Sequence, residues 1–224
     1  MYRNFFGLRE HPFSINPDPR YLFLTPQTRE AFDTLVFGIE RRKGLVLLTG
    51  EVGTGKTTLI NHLRDWLRQQ RTPTAFISNP HLETQHLFDF MLAEFGVSSP
   101  TRTSSNRRTL LNECLLERAN KNSVLIVDEA QGLSIELLEE IRLLLNLETS
   151  REKLLQVVLV GQPEVEETLT RPELRRLRQR IALRCKTAPL TCAETRAYIQ
   201  ARLRIAGSGE KEIFEPEAVD ALHS

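Results

Sequence analysis

Eight residues, Gly50-Glu51-Val52-Gly53-Thr54-Gly55-Lys56-Thr57, follow the spacing G-x-x-x-x-G-K-[ST]. The backbone N–H groups of such a loop can converge on phosphate oxygens, provided that a strand leads in and a helix leads out. Both are written around it. The short apolar run Leu45-Val46-Leu47-Leu48 precedes the loop, and Leu59, Ile60, Leu63 and Leu67 recur at helical spacing after it. Gly50, Gly53 and Gly55 permit the tight, close-approaching backbone. Lys56 is placed to reach β and γ phosphates and the Thr57 hydroxyl to ligate Mg2+, with Thr58 its neighbour and not a metal ligand.

A second acidic element completes the chemistry. Val124-Leu125-Ile126-Val127 runs straight into Asp128 and Glu129. A buried strand ending in acids presents them where ligands of open α/β sheets bind. Asp128 is positioned to hold Mg2+, directly or through water, and Glu129 to accept a proton from water attacking the γ-phosphate. Loop and acids together imply hydrolysis of ATP, not binding alone. Two further polar residues end apolar runs. Gln162 either orients the attacking water or senses the γ-phosphate, or is an exposed loop residue before Pro163; Asn79 either hydrogen-bonds Glu129 at rest or starts the turn at Pro80. Arginine concentrates between Arg171 and Lys186. Phosphoryl transfer gains from a cation on the developing charge, often supplied by a neighbouring molecule. Of Arg175, Arg176, Arg178, Arg180 and Arg184, the choice is Arg180, at the end of a helical stretch just before a strand. A basic face, solvated or touching nucleic-acid phosphates, accounts for the others.

The elements that position these residues alternate. Thr25 caps a helix with Pro26 at its first position, and Ala31, Phe32, Leu35 and Ile39 form its apolar face. Strands are expected at Thr74–Asn79, Ser123–Val127 and Leu154–Gly161, and helices at Glu83–Phe95, around Leu110–Leu116 and at Ile135–Leu147. Thr191-x-x-Glu194 reads as a capping box opening a helix that ends at Gly207. Residues 98–108 read as a polar loop, and residues 1–24, with Pro12, Pro17 and Pro19 among aromatics, as an ordered arm too irregular for a helix. Strands apolar on both faces alternating with helices predict a three-layer α/β/α domain with a mainly parallel sheet. The expected division is an arm at 1–24, an α/β core at 25–190 and the start of a helical lid at 191–224.

Bulk properties narrow the field. The chain has 224 residues and a net charge of +1, which argues against a strongly basic nucleic-acid-binding body. Its three cysteines, Cys114, Cys185 and Cys192, have no metal-ligand spacing and read as free thiols in a reducing compartment. Neither a signal peptide nor a stretch able to span a bilayer is apparent, so a cytoplasmic location is expected.

The phosphate loop, VLIVDEAQ, VLVGQPEV and LRQRIALRCKTAPL, in this order, resemble AAA+ ATPases, a group of P-loop NTPases. The opening MYRNFFGLREHPFSINPDPRYLFLTPQTREAF is similar to the general secretion pathway protein A (ExeA/GspA) group, and the similarity runs over essentially the whole chain. The resemblance implies an adenine pocket lined partly by Phe6, Gly7 and Leu8 and the region near Pro12 and Phe13. It also implies a switch role for Asn79, a sensor role for Gln162 and an arginine finger at Arg180. An arginine acting on a neighbour's nucleotide implies a homo-oligomer, a ring or a filament. The chain stops at EPEAVDALHS, before the Gly-x-Pro-Arg-like segment in which such proteins usually carry a lid arginine. The expectation is an unfinished lid, with nucleotide bound yet poorly hydrolysed and assembly weak.

Two functions remain open. One is the cytoplasmic ATPase part of an envelope secretion, pilus or polysaccharide-export assembly, with a membrane-associated partner at the inner face of the inner membrane. The other is an ATP-dependent DNA-binding regulator akin to TniB/TnsC-type transposition ATPases, which share the core motifs.

Overall fold

The computed structural model describes residues 2–14, 19–78, 83–97, 104–149, 152–209 and 213–223. In chain order the elements are α1 (Tyr2–Phe6), α2 (Pro26–Glu40), β1 (Leu45–Thr49), α3 (Lys56–Gln69), β2 (Thr74–Ile77), α4 (Thr84–Glu94), α5 (Ser104–Glu117) and β3 (Ser123–Val127). There follow α6 (Ile135–Leu144), β4 (Leu155–Gly161), α7 (Glu164–Thr168), α8 (Arg175–Arg178), β5 (Ile181–Lys186), α9 (Cys192–Ile205) and α10 (Pro216–His223).

Every position of β1, β3 and β4 is buried, whereas β2 and β5 alternate between more and less covered residues. A strand apolar on both faces must lie inside a covered sheet, and an alternating one can lie at its edge. The observed order is β2-β3-β4-β1-β5, with all neighbours parallel. Successive side chains on a strand point to opposite faces, and the sheet sorts its residues accordingly. Leu45, Leu47, Leu125, Val127, Val157 and Leu159 join Leu87, Met91, Leu111, Leu137 and Ile141 in one core layer. Val46, Leu48, Val124, Ile126, Val158 and Val160 join Leu35, Ile39, Leu59, Ile60 and Leu63 from α2 and α3 in the other.

Capping follows the sequence. Thr25 accepts the Thr28 N–H at the start of α2, and Thr191 and Glu194 form both halves of the capping box of α9. Two readings of the sequence are corrected. Residues 2–6 do form a helix, closed by Gly7 at φ 68° with the Leu8 N–H on the Arg3 carbonyl at 2.8 Å and the Gly7 N–H on Asn4 at 3.4 Å. That pair of bonds is a glycine-dependent helix stop, and it delivers Leu8 into contact with the protein. Residues 104–108 also belong to a helix, not a loop: α5 begins at Ser104. Arg107 pairs with Asp89 of α4 at 2.7 Å, and Arg108 with Glu140 of α6 at 2.6 Å. These partners lie far along the chain, so local polarity alone misleads. Leu8 is buried with Ile199, Leu203, Ala206 and Val219 in a third cluster, so the arm docks on α9 and α10.

Candidate nucleotide site

The sheet order assembles the site. Thr49, the last residue of β1, is in register with Gly161 of β4 and Lys186 of β5, and Val127 of β3 is in register with Leu159. Thus the loop after β1, Gln162 after β4, and Asp128 and Glu129 after β3 emerge side by side at the carboxyl end of the sheet. Gln162 comes between the loop and the acids, because β4 lies between β3 and β1.

Within the loop, Gly53 and Gly55 take φ of 80° and 87°, and Lys56 begins α3. Lys56 is 8% exposed, and its ammonium donates to the Gly50 carbonyl at 2.7 Å and the Glu51 carbonyl at 2.8 Å. A buried ammonium needs acceptors. Here the loop's own carbonyls supply them. Thr57 and Thr58 are exposed in the first turn of α3, as are Glu51, Val52, Gly53 and Gly55. The base of the loop is braced from two sides. The Thr49 hydroxyl donates to Glu166 Oε1 at 3.0 Å, where the Lys186 ammonium also lies at 3.0 Å. Burial pushes the Glu166 carboxyl up, but the hydrogen bonds from Lys186 and Thr49 outweigh it and hold the pKa below the usual value.

Asp128 is buried, and its N–H is held by the Ile77 carbonyl of β2 at 2.8 Å. Burial raises its pKa, and the Glu129 charge adds to the rise; the Glu129 N–H on Asp128 Oδ1 at 2.9 Å and the charge of Lys56 oppose it. Glu129 adopts φ 55°, a left-handed conformation that costs a non-glycine residue energy and recurs at functional sites. Gln131 donates from Nε2 to Glu129 Oε2 at 2.5 Å, while its Oε1 accepts the Gln162 N–H at 3.0 Å. One amide therefore ties the acid at the end of β3 to the backbone at the end of β4. The close fit requires Gly161, where a Cβ would lie 2.8 Å from Gln131 Oε1. Sequence reasoning passed over Gln131, although it stands two residues after Glu129; only the sheet order shows what its second amide atom meets.

Arg180 lies at the other end of the sheet. Ile181, which follows it, is in register with Leu45, so the length of β1, about 16 Å, separates it from its own phosphate loop. Its Nη2 donates to Asn146 Oδ1 at 3.2 Å. Asn79 lies outside the described residues. Phe6 is 36% exposed and Leu8 7%. The arm's turn at Pro19–Tyr21 also touches α3, the helix that follows the phosphate loop.

Fit to a nucleotide and a hard cation can be judged from these groups. A loop of exposed amides at a helix start suits phosphate, and the oxygen atoms of Thr57 and Asp128 suit Mg2+, which takes few protein ligands. No group of three or more His, Cys, Asp or Glu able to hold a metal occurs among the described residues. Nor is any described helix long and apolar enough to cross a membrane.

Comparison with known proteins bears on the family and the fold. Residues 39–169 match the family described as AAA domain. The chain is 44% identical to general secretion pathway protein A of Aeromonas hydrophila over 228 aligned residues, covering 100% of this chain and 41% of that protein. The chain thus spans less than half the length of the curated relative it matches. Among solved structures, Cdc6p of Pyrobaculum aerophilum superposes with a TM-score of 0.70 at 16% identity, over 91% of this chain and 55% of that one. The Aeropyrum pernix ORC2 protein gives 0.66 at 16% identity, over 92% and 58%. Domain III of the Thermotoga maritima replication initiation protein DnaA gives 0.56 at 18%, over 95% and 82%. At these identities the likeness establishes the fold.

Proposed function

The chain belongs to the AAA domain family, and from that premise we propose that it binds ATP with Mg2+ and hydrolyses it, as the ATPase part of a bacterial envelope secretion, pilus or polysaccharide-export assembly protein. The observation that carries the chemistry is the convergence of the Lys56 loop, Asp128 and Glu129, and Gln162 on adjacent strand ends. The likeness to a protein named for the general secretion pathway supports the assembly role.

The loop amides beyond Gly50, whose own N–H donates to the Gly161 carbonyl at 3.2 Å, bind phosphate through to Lys56, and Lys56 exchanges two neutral carbonyl acceptors for anionic oxygens. Thr57 and Asp128 would hold Mg2+, which when bound would neutralise phosphate charge. Glu129 accepts the proton of the attacking water, and Gln131 keeps its carboxylate aligned with Gln162, which senses the γ-phosphate. Asn79 serves as the switch. Phe6 and Gly7 line the adenine, with Leu8 anchoring them on α9. Arg180 acts on a neighbour's nucleotide, because its own is beyond its reach. The arm at 1–24 and the lid from 191 onward flank the ATPase core.

Steady-state ATP hydrolysis with Mg2+ tests this reading, with Lys56→Ala and Glu129→Gln as controls. Lys56→Ala should lose binding, while Glu129→Gln should bind ATP yet turn over at least about a hundredfold more slowly. Equal rates for the wild type and Glu129→Gln would sink the assignment of the base. Stimulation by duplex DNA but not by lipid vesicles would replace the envelope role with a DNA-regulating one.

A further inference from the structure

Thr187 follows β5, within the stretch LRQRIALRCKTAPL but with no role given to it there, and it touches the phosphate loop. It is 5% exposed, and its N–H donates to the Thr49 carbonyl at 2.9 Å. A Cβ at Gly50 would lie 2.1 Å from Thr187 Oγ1, so the glycine is required for the hydroxyl to sit there. That hydroxyl is 2.7 Å from Thr54 Oγ1.

Proton accounting gives the bond a direction. Thr54 Oγ1 donates its single proton to the Glu51 carbonyl at 2.7 Å, so Thr187 must be the donor in the hydroxyl pair. The same Glu51 carbonyl accepts the Lys56 ammonium. A chain of contacts therefore runs from the end of β5 through Thr187, Thr54 and Glu51 to Lys56. Four residues beyond Thr187, Thr191 caps α9.

We propose that Thr187 is a positioning residue of the nucleotide site, whose hydroxyl fixes, through Thr54, the carbonyl on which Lys56 rests. The proposal rests on the nucleotide-binding reading above and adds to it a residue outside the loop that holds the loop's shape. Thr187 touches no phosphate itself; it acts by limiting the conformations from which the loop must be gathered when phosphate binds.

Thr187→Val keeps the side-chain shape and removes the donor, and Thr187→Ser restores it. The affinity for ATP and for ADP should fall about two- to tenfold in the valine variant, the range expected for one hydrogen bond, with KM rising by the same factor. The serine variant should stay within about twofold of the wild type, and both should melt within about 2 °C of it. Unchanged affinity in the valine variant would overturn the proposal, as would a serine variant as weak as the valine one. Hydrogen exchange of the amides of residues 51–55 without nucleotide reads the same hold independently. Faster exchange in the valine variant alone supports it, and equal exchange in all three overturns it. If the wild type bound nucleotide no better than Lys56→Ala, the ATP reading would fall while the exchange result still decided the role of Thr187.

Discussion

Lys56 rests on two carbonyls of its own loop. Those acceptors keep a buried cation satisfied, and because they are neutral they yield to phosphate oxygens, which bind a cation more strongly. Glu129 and Gln131 show the complementary device: an acid in a costly backbone conformation, steadied by an amide that reads the next strand. The cysteines differ in just this respect of environment. Burial pushes the Cys185 thiol up to about 12 and raises that of Cys114 as well, so both stay protonated and covered. Cys192 is more accessible, and its pKa is raised by the hydrogen bond to Asp220, at 3.1 Å, and by that residue's charge. Only the thiolate alkylates. At pH 8 the native protein should label at Cys192 alone. Asp220→Asn, by lowering that pKa toward the ordinary value, should move the pH profile of labelling down and speed the reaction roughly two- to fivefold at pH 8. Mass-spectrometric mapping of the labelled sites checks both outcomes.

At the scale of elements, Arg202 of α9 gathers several of the arm's contacts, beside the Leu8 cluster, the Arg9 N–H on the Ala206 carbonyl at 2.7 Å and the Phe23 ring against Tyr198. The Arg202 guanidinium lies 4.6 Å from the Tyr21 ring, 5.3 Å from Tyr198 and 6.0 Å from Phe13. It also donates to the Pro12 carbonyl and to the Tyr198 hydroxyl. Cation–aromatic contacts contribute about 0.5–2 kcal/mol each according to exposure, and a hydrogen bond about 1. Arg202→Ala should therefore loosen the arm by about 1–3 kcal/mol while leaving the sheet intact. Limited trypsin digestion should then cut after Arg9 and Arg20 several-fold faster, with little change in cleavage of the core. Unchanged cleavage there would mean that the Leu8 cluster, the Arg9 hydrogen bond and the Phe23 contact suffice to hold the arm. The sequence signals an ordered arm through its aromatics. Its partner is α9, distant in the chain, and no local pattern names it.

For the whole molecule, the parallel sheet puts the sequence-predicted site residues at opposite ends. The phosphate loop and the acids leave the carboxyl ends of the strands, and Arg180 enters at the amino end of β5. A single chain cannot close that gap. If Arg180 completes the site of a second copy, specific ATPase activity should rise with protein concentration. Arg180→Ala and Glu129→Gln, each inactive alone, should regain part of the rate when mixed, because some junctions then pair an intact arginine with an intact acid. Mixed assemblies that form and remain inactive would point to a different arginine.

The phosphate loop, the acids after a buried strand, the capped helices and the parallel α/β class were all legible in the linear chain, because each depends on contiguous spacing and periodicity. The start of α5, the dual bonding of Gln131, the docking of the arm on α9 and the grip of Thr187 on the loop were not. Each depends on which residues meet across the sheet or between helices far apart in sequence, and their hydrogen bonds and ion pairs arise only once packing has set those distances.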